Sequence, residues 1–309
     1  MELGKSERNL FMPDILTLIT SLKNACLTEE VISAVSTSLK VKNSKMLYPN
    51  VACEFELPAL IQPQEAKELI NQIIEDKPID IIVQPSGNRR KKLFLADMDS
   101  TIIGQECIDE LAAEIGVKEQ VSKITEAAMN GEIDFEGALK DRVMLLAGLE
   151  ENIVAQVLQN RIAINDGAKE ALSVMRKNAT YTALVSGGFT VFACQIASEV
   201  GFHEYHANTL LSENGKFTGK VKMPILGQQA KLDQLNRLVL EKRLELNNTI
   251  AIGDGANDLP MLLNAGIGIA FHAKPSVAEQ AQVVINHGDL SAILFVQGYT
   301  KADIDQAMS

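Results

Sequence analysis

Cysteine is scarce in this chain of 309 residues, and its few copies are scattered. The sequence has no tryptophan, 4 cysteines and 4 histidines. The cysteines are Cys26, Cys53, Cys107 and Cys194. They lie far apart without CxxC spacing, so they do not indicate a disulfide framework, and the histidines show no metal-ligand spacing. We therefore expect reduced thiols and a cytoplasmic protein.

Long apolar runs and an excess of positive charge are also absent. No run approaches the roughly 18 residues of a membrane helix, and residues 1–14 contain no apolar core of a signal peptide. Lysine and arginine number 29 against 40 aspartates and glutamates, which gives a net charge of −11. This balance argues against a general surface for nucleic acid or anionic membrane. We expect a monomer or homodimer that acts on a small molecule.

Residues 1–88 contain no catalytic motif but do show alternating strand and helix patterns. Strand patterns cover Asp14–Thr20, Val51–Glu56 and Ile79–Val83, and helical patterns cover Thr28–Leu39 and Gln64–Glu75. The order is close to βαββαβ with one weak strand, and it resembles the ACT-like domains in element order alone. We predict a small N-terminal α+β (ACT-like) domain with a structural or regulatory role.

The rest of the chain alternates between buried strands and helices. Strand patterns cover Leu93–Ala96, Tyr181–Val185, Thr249–Ile252, Ile267–Phe271 and Val283–Ile285. Helical patterns between them predict an α/β fold over residues 89–309, with a doubly wound parallel sheet. Three apolar helical stripes within residues 104–165 predict a helical cap insertion that excludes water and carries substrate specificity.

Two carboxylates stand directly after the predicted strand Leu93–Ala96. Asp97 and Asp99 are separated by one residue, at the edge where open α/β sheets bind their ligands. Two unit charges 4 Å apart repel by about 4 kcal/mol at an effective dielectric constant near 20. Mg²⁺ prefers carboxylate and carbonyl oxygens and would relieve this repulsion. Taken alone, however, such an acidic pair is more often a solvated turn than a metal site.

Two further predicted strands end in related groups. Ser186, Gly187 and Gly188 follow one strand, and Asp254 and Asp258 follow another. Neighbouring strands lie about 5 Å apart, so all three strand ends can surround one small ligand. Glycine amides beside a hydroxyl suit phosphate oxygens, although such a tripeptide alone is usually only a turn. Together the three ends favour a phosphate site.

Lys231 is the candidate for the balancing positive charge. It shares a helical face with Leu235 and Leu238, so we expect it to point inward. There it would offset the carboxylates and a bound phosphate. A lysine whose stem runs along the surface to a solvated ammonium is the alternative interpretation.

Four motifs in this order resemble those of the haloacid dehalogenase-like family. They are DMDST, SGGFT, the downstream Lys231 and GDGANDLPML, within a resemblance that runs from Arg90 to Gly298. The stretches ECIDELA and NGEIDFEGALKDRV are similar to the phosphoserine-specific branch of the family. The resemblance implies a HAD-like, Rossmann-type core. It further implies Mg²⁺-dependent hydrolysis of O-phospho-L-serine through an aspartyl-phosphate, the last step of serine biosynthesis.

The same resemblance implies a role for each residue near the strand ends. Asp97 would be the nucleophile, and Asp99 would protonate the leaving oxygen and then take a proton from water. Mg²⁺ would be held by Asp97, the backbone carbonyl of Asp99 and Asp254. The residues expected to hold the phosphoryl oxygens are Ser186, Gly187, Lys231 and Asn257. The residues expected to support the site from behind are Thr101, Gly188 and Asp258.

Substrate choice is expected to lie in the insertion, because phosphoserine carries an ammonium and a carboxylate beyond its phosphate. Glu106 is the candidate for the ammonium, and Arg142 is the candidate for two-pronged binding of the carboxylate. Met129 and Phe135 would form an apolar wall around the substrate. The competing interpretation is that Glu106 and Arg142 are solvated and that Met129 and Phe135 are ordinary core residues.

Several other functions are open from the sequence. The same intermediate could pass its phosphoryl group to another alcohol, such as homoserine, or the substrate could be another small phosphomonoester. A phospho-accepting signalling domain also combines an aspartate with Mg²⁺ and lysine, but it lacks a helical insertion and a second aspartate two residues on. Residues 1–85 could also act as an amino-acid sensor.

Overall fold

The structure is a computed structural model that describes residues 12–309. The predicted unit 1–88 begins in residues 1–11, which lie outside the described part of the chain. The first elements are β1 (Asp14–Ile19), α1 (Glu29–Leu39), β2 (Ser44–Tyr48), β3 (Ala52–Glu56), α2 (Pro63–Ile74) and β4 (Asp80–Pro85). They form an antiparallel sheet in the order β2-β3-β1-β4, which agrees with the predicted βαββαβ order.

The helices of this first unit cover one face of its sheet. Leu16 and Leu18 of β1 pack with Val35 of α1 and Ile70 of α2 in one apolar cluster, because alternate side chains of a strand point to the same face. Edge strand β2 corresponds to the weak strand of the predicted order. Its range was not predicted, because three of its five residues are exposed and give no alternating apolar signal.

The larger sheet has six parallel strands in the order β12-β11-β10-β5-β6-β7. These strands are β5 (Leu93–Ala96), β6 (Tyr181–Phe189), β7 (Glu204–Asn208), β10 (Thr249–Gly253), β11 (Ile267–Phe271) and β12 (Val283–Ile285). Its helices are α7 (Ala168–Lys177), α8 (Thr190–Val200), α9 (Gln228–Glu241), α10 (Leu259–Asn264), α11 (Pro275–Ala278), α12 (Ala292–Val296) and α13 (Lys301–Met308). Apolar clusters on both faces of the sheet confirm the doubly wound α/β prediction.

Strand β5 lies where the sheet order reverses. The chain leaves β5 toward β6 and β7, and later returns to β10 on the other side. All four residues of β5 are buried, as expected for a strand covered on both faces. In register, Ala96 lies opposite both Leu184 and Ile252, so the residues that follow β5, β6 and β10 emerge at one edge.

A cap stands over this edge. Its helices are α3 (Cys107–Glu114), α4 (Lys118–Met129), α5 (Phe135–Leu145) and α6 (Ile153–Arg161), and a hairpin of β8 (Leu210–Glu213) and β9 (Lys216–Val221) extends it. Phe217 of β9 accepts a hydrogen bond from Gly148 and donates one to Leu149, at 2.8 and 2.9 Å. Three of the four helices were predicted. Helix α6 was not predicted, and neither was the packing of the β8–β9 hairpin against the cap.

The cap and the first unit both contact the core through specific hydrogen bonds. At the neck of the cap, the Asn165 amide donates to the Ile102 carbonyl at 2.9 Å. From the first unit, the buried carboxylate of Asp80 accepts from the amides of Asn286 and Gly288 at 2.8 Å each. Among the described residues, no helix is both long enough and apolar enough to cross a membrane.

Candidate active site

The acidic loop follows β5 and turns sharply. Residues Met98–Ile102 form a kinked turn, in which Asp99 is extended with a ψ of 138°. Ser100 has a φ of 54°, a left-handed conformation that is uncommon for serine. Asp97 caps this turn, because its Oδ1 accepts a 2.8 Å hydrogen bond from the Met98 amide. Asp99 Oδ1 accepts one of 2.8 Å from the Cys107 amide at the start of α3. The two carboxylates are therefore fixed by different partners.

Lys231 is fully buried and bridges two aspartates. Its Nζ lies 2.7 Å from Asp97 Oδ1 and 2.7 Å from Asp258 Oδ1. The amides of Asp254 and Gly255 hold Asp258 in turn, donating to its Oδ2 at 3.2 and 3.1 Å. The structure thus places Lys231 inward, as its helical spacing predicts, and not at the surface.

Burial and mutual repulsion shift the pKa values of this cluster. Burial is the largest cause that raises the pKa of Asp97 well above its usual value, and the charge of Asp258 adds to it against the effect of Lys231. Burial, then Asp258 and Asp97, raise the pKa of Asp254 in the same way. Burial lowers the pKa of Lys231, but Asp258 and Asp97 outweigh it and hold the pKa above its usual value. One ammonium thus faces several carboxylates, so the cluster has more negative than positive charge.

The donor set suits a hard divalent cation. Asp97, Asp254 and Asp258 offer carboxylate oxygens within 4.8 Å of one another. Thr101 Oγ1 donates to Asp254 Oδ1 at 3.1 Å, and the structure gives the other Asp254 oxygen no donor within residues 12–309. Mg²⁺ prefers oxygen ligands, and these carboxylates carry negative charge that Lys231 alone does not neutralise. Both carboxylates predicted as metal ligands lie in this cluster, and so does Asp258.

The end of β6 forms a second wall beside the acidic loop. Ser186 Oγ donates to Asp99 Oδ2 at 3.2 Å and accepts from the Gly188 amide at 2.8 Å. A Cβ on Gly188 would lie 2.4 Å from Asp99 Oδ2, and one on Gly187 would lie 2.7 Å from Phe135 Cζ. Both positions therefore favour glycine, Gly187 because the cap approaches it closely and Gly188 because the acidic loop does.

A small cavity lies between the acidic loop and the cap. Its volume of about 20 Å³ has room for about one water. It is lined by Asp97, Asp99, Glu106, Ile108, Met129, Phe135, Leu139, Arg142, Gly187, Gly188 and Asn257. All but Ile108 and Leu139 are residues that the sequence singled out. The other predicted residues, Thr101, Ser186, Lys231, Asp254 and Asp258, are buried behind the lining.

Asn257 has an unpaired polar atom beside the cavity. Its Oδ1 is buried and has no hydrogen-bond partner among the described residues. A buried acceptor without a donor is costly, so such an atom indicates a ligand or an ordered water. Asn257 is therefore available to a bound group, as its predicted place on the rim requires.

The two charged cap residues border the same cavity. Glu106 Oε1 accepts a 2.6 Å hydrogen bond from Ser100 Oγ, and burial, then the charge of Asp99, raises the pKa of Glu106 to about 7. Arg142 is 2% exposed, and its Nε and Nη1 donate to Ala138 O at 3.0 Å and Thr125 Oγ1 at 2.9 Å. Neither residue is solvated on a helix surface, contrary to the competing interpretation.

Two lining residues were missed as site residues. Ile108 and Leu139 belong to the apolar stripes that predict the cap helices, and such stripes are normally core. For Leu139 the available signal was its position three residues before Arg142, on the same helix face. Ile108 lies two residues after Glu106, a spacing that gives no such signal. Sequence alone could not tell which end of each stripe reaches the cavity.

Known proteins are similar to this chain in both sequence and structure. Residues 94–263 match the family model described as haloacid dehalogenase-like hydrolase. A phosphoserine phosphatase of Saccharomyces cerevisiae is 35% identical over 283 residues, which cover 90% of this chain and 92% of the relative.

Two solved structures are similar over the larger unit. One is described as a phospho-aspartyl intermediate analogue of phosphoserine phosphatase, with a TM-score of 0.64 and 40% identity over 66% of this chain and 98% of that chain. The other, a substrate-bound phosphoserine phosphatase complex, has the same TM-score and identity and covers 66% of this chain and 97% of its own.

Proposed function

The chain belongs to the haloacid dehalogenase-like hydrolases, and on that basis we propose that it is a phosphoserine phosphatase. It hydrolyses O-phospho-L-serine to L-serine and phosphate, the last step of serine biosynthesis. The observation that carries the proposal is the buried pair of Asp97 and Lys231, 2.7 Å apart, beneath a cap that turns a carboxylate and a guanidinium toward the same cavity. The relatives named as phosphoserine phosphatases support the same substrate.

Asp97 acts as the nucleophile. Its carboxylate attacks phosphorus in line with the serine oxygen, a P–O bond to Asp97 forms, and the bond to serine breaks. Lys231 favours the ionised form of Asp97 against the opposing effect of burial, and it offsets the charge of the phosphoryl oxygens. Ser186, the Gly187 amide and Asn257 hold those oxygens.

Asp99 moves the protons. Burial raises its pKa, which favours the protonated acid that the leaving serine oxygen requires. After serine leaves, ionised Asp99 takes a proton from the water that attacks the aspartyl-phosphate. The bond between Asp97 and phosphorus then breaks, Asp97 leaves as a carboxylate and phosphate is released. Asp99 is back in its acid form.

Mg²⁺ is the proposed cofactor. Asp97, the carbonyl of Asp99 and Asp254 would hold it, and Thr101 and Asp258 would orient the carboxylates around it. When bound, Mg²⁺ neutralises charge on the phosphoryl group. The shortage of positive charge among the buried carboxylates supports this assignment.

The cap supplies recognition and exclusion of water. Glu106 binds the ammonium, Arg142 binds the carboxylate, and Met129 and Phe135 cover the carbon chain. A cavity of about 20 Å³ cannot admit phosphoserine, so entry requires the cap to move away from the core. We assign substrate specificity to residues 104–165 because all four of these recognition residues lie in the cap.

We also propose the finer points of organisation and setting. Residues 1–88 form a structural or regulatory unit beside the catalytic unit 89–309. A cytoplasmic location agrees with four cysteines that are all free thiols.

The test is phosphate release from O-phospho-L-serine with and without Mg²⁺, for the wild type and Asp97→Asn. We expect rapid release that requires Mg²⁺ and that the substitution abolishes. Release from other phosphomonoesters but not from phosphoserine would contradict the substrate, and no release from any would contradict the reaction. A fall in free phosphate on adding homoserine would instead favour transfer to an alcohol.

A further inference from the structure

Arg142 is held inside the cap by neutral groups. It is 2% exposed, and its Nε and Nη1 donate to Ala138 O and Thr125 Oγ1. Nη2 has no protein partner in the described chain, although the guanidinium lines the cavity. A long side chain with several rotamers is thus fixed at two nitrogens and open at the third.

The Thr125 contact continues to a buried acid. Thr125 Oγ1 lies 2.7 Å from Asp109 Oδ1 and 3.1 Å from Val121 O. Because a hydroxyl has one proton and a carboxylate is the stronger acceptor, that proton goes to Asp109. The lone pairs of Thr125 then remain to accept from Arg142. Ser122 Oγ donates to the other Asp109 oxygen at 2.5 Å, which fixes the carboxylate.

The chain of contacts crosses three helices. Asp109 lies on α3, Ser122 and Thr125 on α4, and Arg142 on α5. Asp109 and Thr125 are 8% and 3% exposed, so water competes little for these hydrogen bonds. Asp109 also supplies negative charge that favours the charged guanidinium without bonding to it.

We propose that Thr125, anchored by Asp109, is a positioning residue that presents the Arg142 guanidinium to the substrate carboxylate. The inference rests on the proposed function, in which Arg142 binds that carboxylate. Fixing the guanidinium beforehand removes the entropy cost of ordering it on binding, so the effect is on KM for substrates that carry a carboxylate. Asp109 does not bond to Arg142 itself, which leaves the guanidinium's charge for the substrate.

The test compares Thr125→Val, which removes the hydroxyl at almost constant volume, with Thr125→Ser, which keeps it. The substrates are phosphoserine and phosphoethanolamine, which has the ammonium and phosphate but no carboxylate. For Thr125→Val we expect KM for phosphoserine to rise about tenfold, while kcat for phosphoserine stays close to wild type. For phosphoethanolamine, both kcat and KM should stay close to wild type. Thr125→Ser should restore KM.

A double-mutant cycle separates positioning from general damage to the cap. In an Arg142→Ala background, Thr125→Val should leave KM for phosphoserine unchanged, because there is no guanidinium left to position. Equal losses on both substrates, a loss that persists in the Arg142→Ala background, or an equally impaired Thr125→Ser would overturn the proposal. If Thr125→Val does not fold, Thr125→Ala takes its place in the same comparison.

The outcomes also separate this inference from the proposed function. If wild type does not hydrolyse phosphoserine, the function is wrong. If wild type hydrolyses it and Arg142→Ala raises KM, but Thr125→Val does not, the function stands and the positioning role is wrong.

Discussion

On the core side of the cavity, Asp97 and Asp258 share the ammonium of Lys231 at 2.7 Å each. On the cap side, the hydrogen bonds of Glu106 and Arg142 go to neutral groups, a serine hydroxyl, a backbone carbonyl and a threonine hydroxyl. The core has thus paired its lysine before substrate arrives, whereas the cap leaves one negative and one positive charge to be met by the ligand.

This difference separates chemistry from recognition. The core groups act on a phosphoryl group, which every phosphomonoester has, and a preorganised charge cluster speeds that step for all of them. The cap groups match the ammonium and the carboxylate, which only particular substrates have. Changes in the core should therefore affect every substrate, and changes in the cap should discriminate among them.

The largest effect is expected for Asp254→Asn, in the core. Losing one proposed Mg²⁺ ligand should lower kcat/KM about 10³-fold for phosphoserine and phosphoethanolamine alike. Mg²⁺ should raise the melting temperature of wild type by several degrees but not that of the variant, because only a bound ion stabilises the folded state. Asp305→Asn, at a side chain 60% exposed, is the matched control. An equal Mg²⁺ shift in both variants would contradict the site.

Arg142→Ala should raise KM for phosphoserine about 100-fold, since a buried charged contact is lost. Phosphoethanolamine should be hydrolysed as by wild type. Arg142→Lys, which keeps the charge but loses the planar fork, should fall between the two. Steady-state kinetics on both substrates measure these changes. An equal rise in KM for phosphoethanolamine would contradict the assignment of substrate recognition to the cap.

Glu106 predicts a pH effect that depends on the substrate. Its pKa of about 7 means that the carboxyl is increasingly protonated as pH falls below 7, and the neutral acid binds an ammonium poorly. For phosphoserine, kcat/KM should therefore fall about fivefold from pH 7 to pH 6 relative to 3-phospholactate, which lacks the ammonium. In Glu106→Gln the two profiles should have the same shape. If the wild-type profiles of kcat/KM against pH were identical for the two substrates, Glu106 would not bind the substrate ammonium.

The smallest effect is expected at the start of α5, the helix that carries Arg142. Asp134 caps this helix, since its Oδ2 accepts a 2.7 Å hydrogen bond from the Gly137 amide. Asp134→Ala should cost about 1 kcal/mol of stability and raise KM for phosphoserine about twofold through fraying. Thermal unfolding and kinetics measure both, with Asp134→Ser as the capped control. A normal melting temperature with a large rise in KM would instead indicate direct contact with substrate.

Sequence predicted the core side of the site better than the cap side. Asp97 and Asp254 follow short apolar runs whose parallel pairing fixes where their ends meet, so convergence follows from topology. The edge strand Glu204–Asn208 was missed because it reads EYHAN, with no alternating apolar pattern.

The cap was predicted as three helices, but its polar interior was not. Thr125 lies within a helical stretch, where a threonine usually has no specific role, and its partners lie 16 and 17 residues away. Such contacts depend on how the helices cross, which apolar periodicity does not determine. Gly187 was predicted as a phosphate-binding residue, but the steric reason for a glycine there was not predicted, because the contact comes from Phe135 of a different element.

The most direct test of the account is an acid quench during the first turnover of phosphoserine labelled in its phosphoryl group. We expect label on the peptide that contains Asp97, appearing before free phosphate and disappearing as phosphate is released. Release of phosphate at the full rate with no label on Asp97, or with label on another residue, would contradict the account.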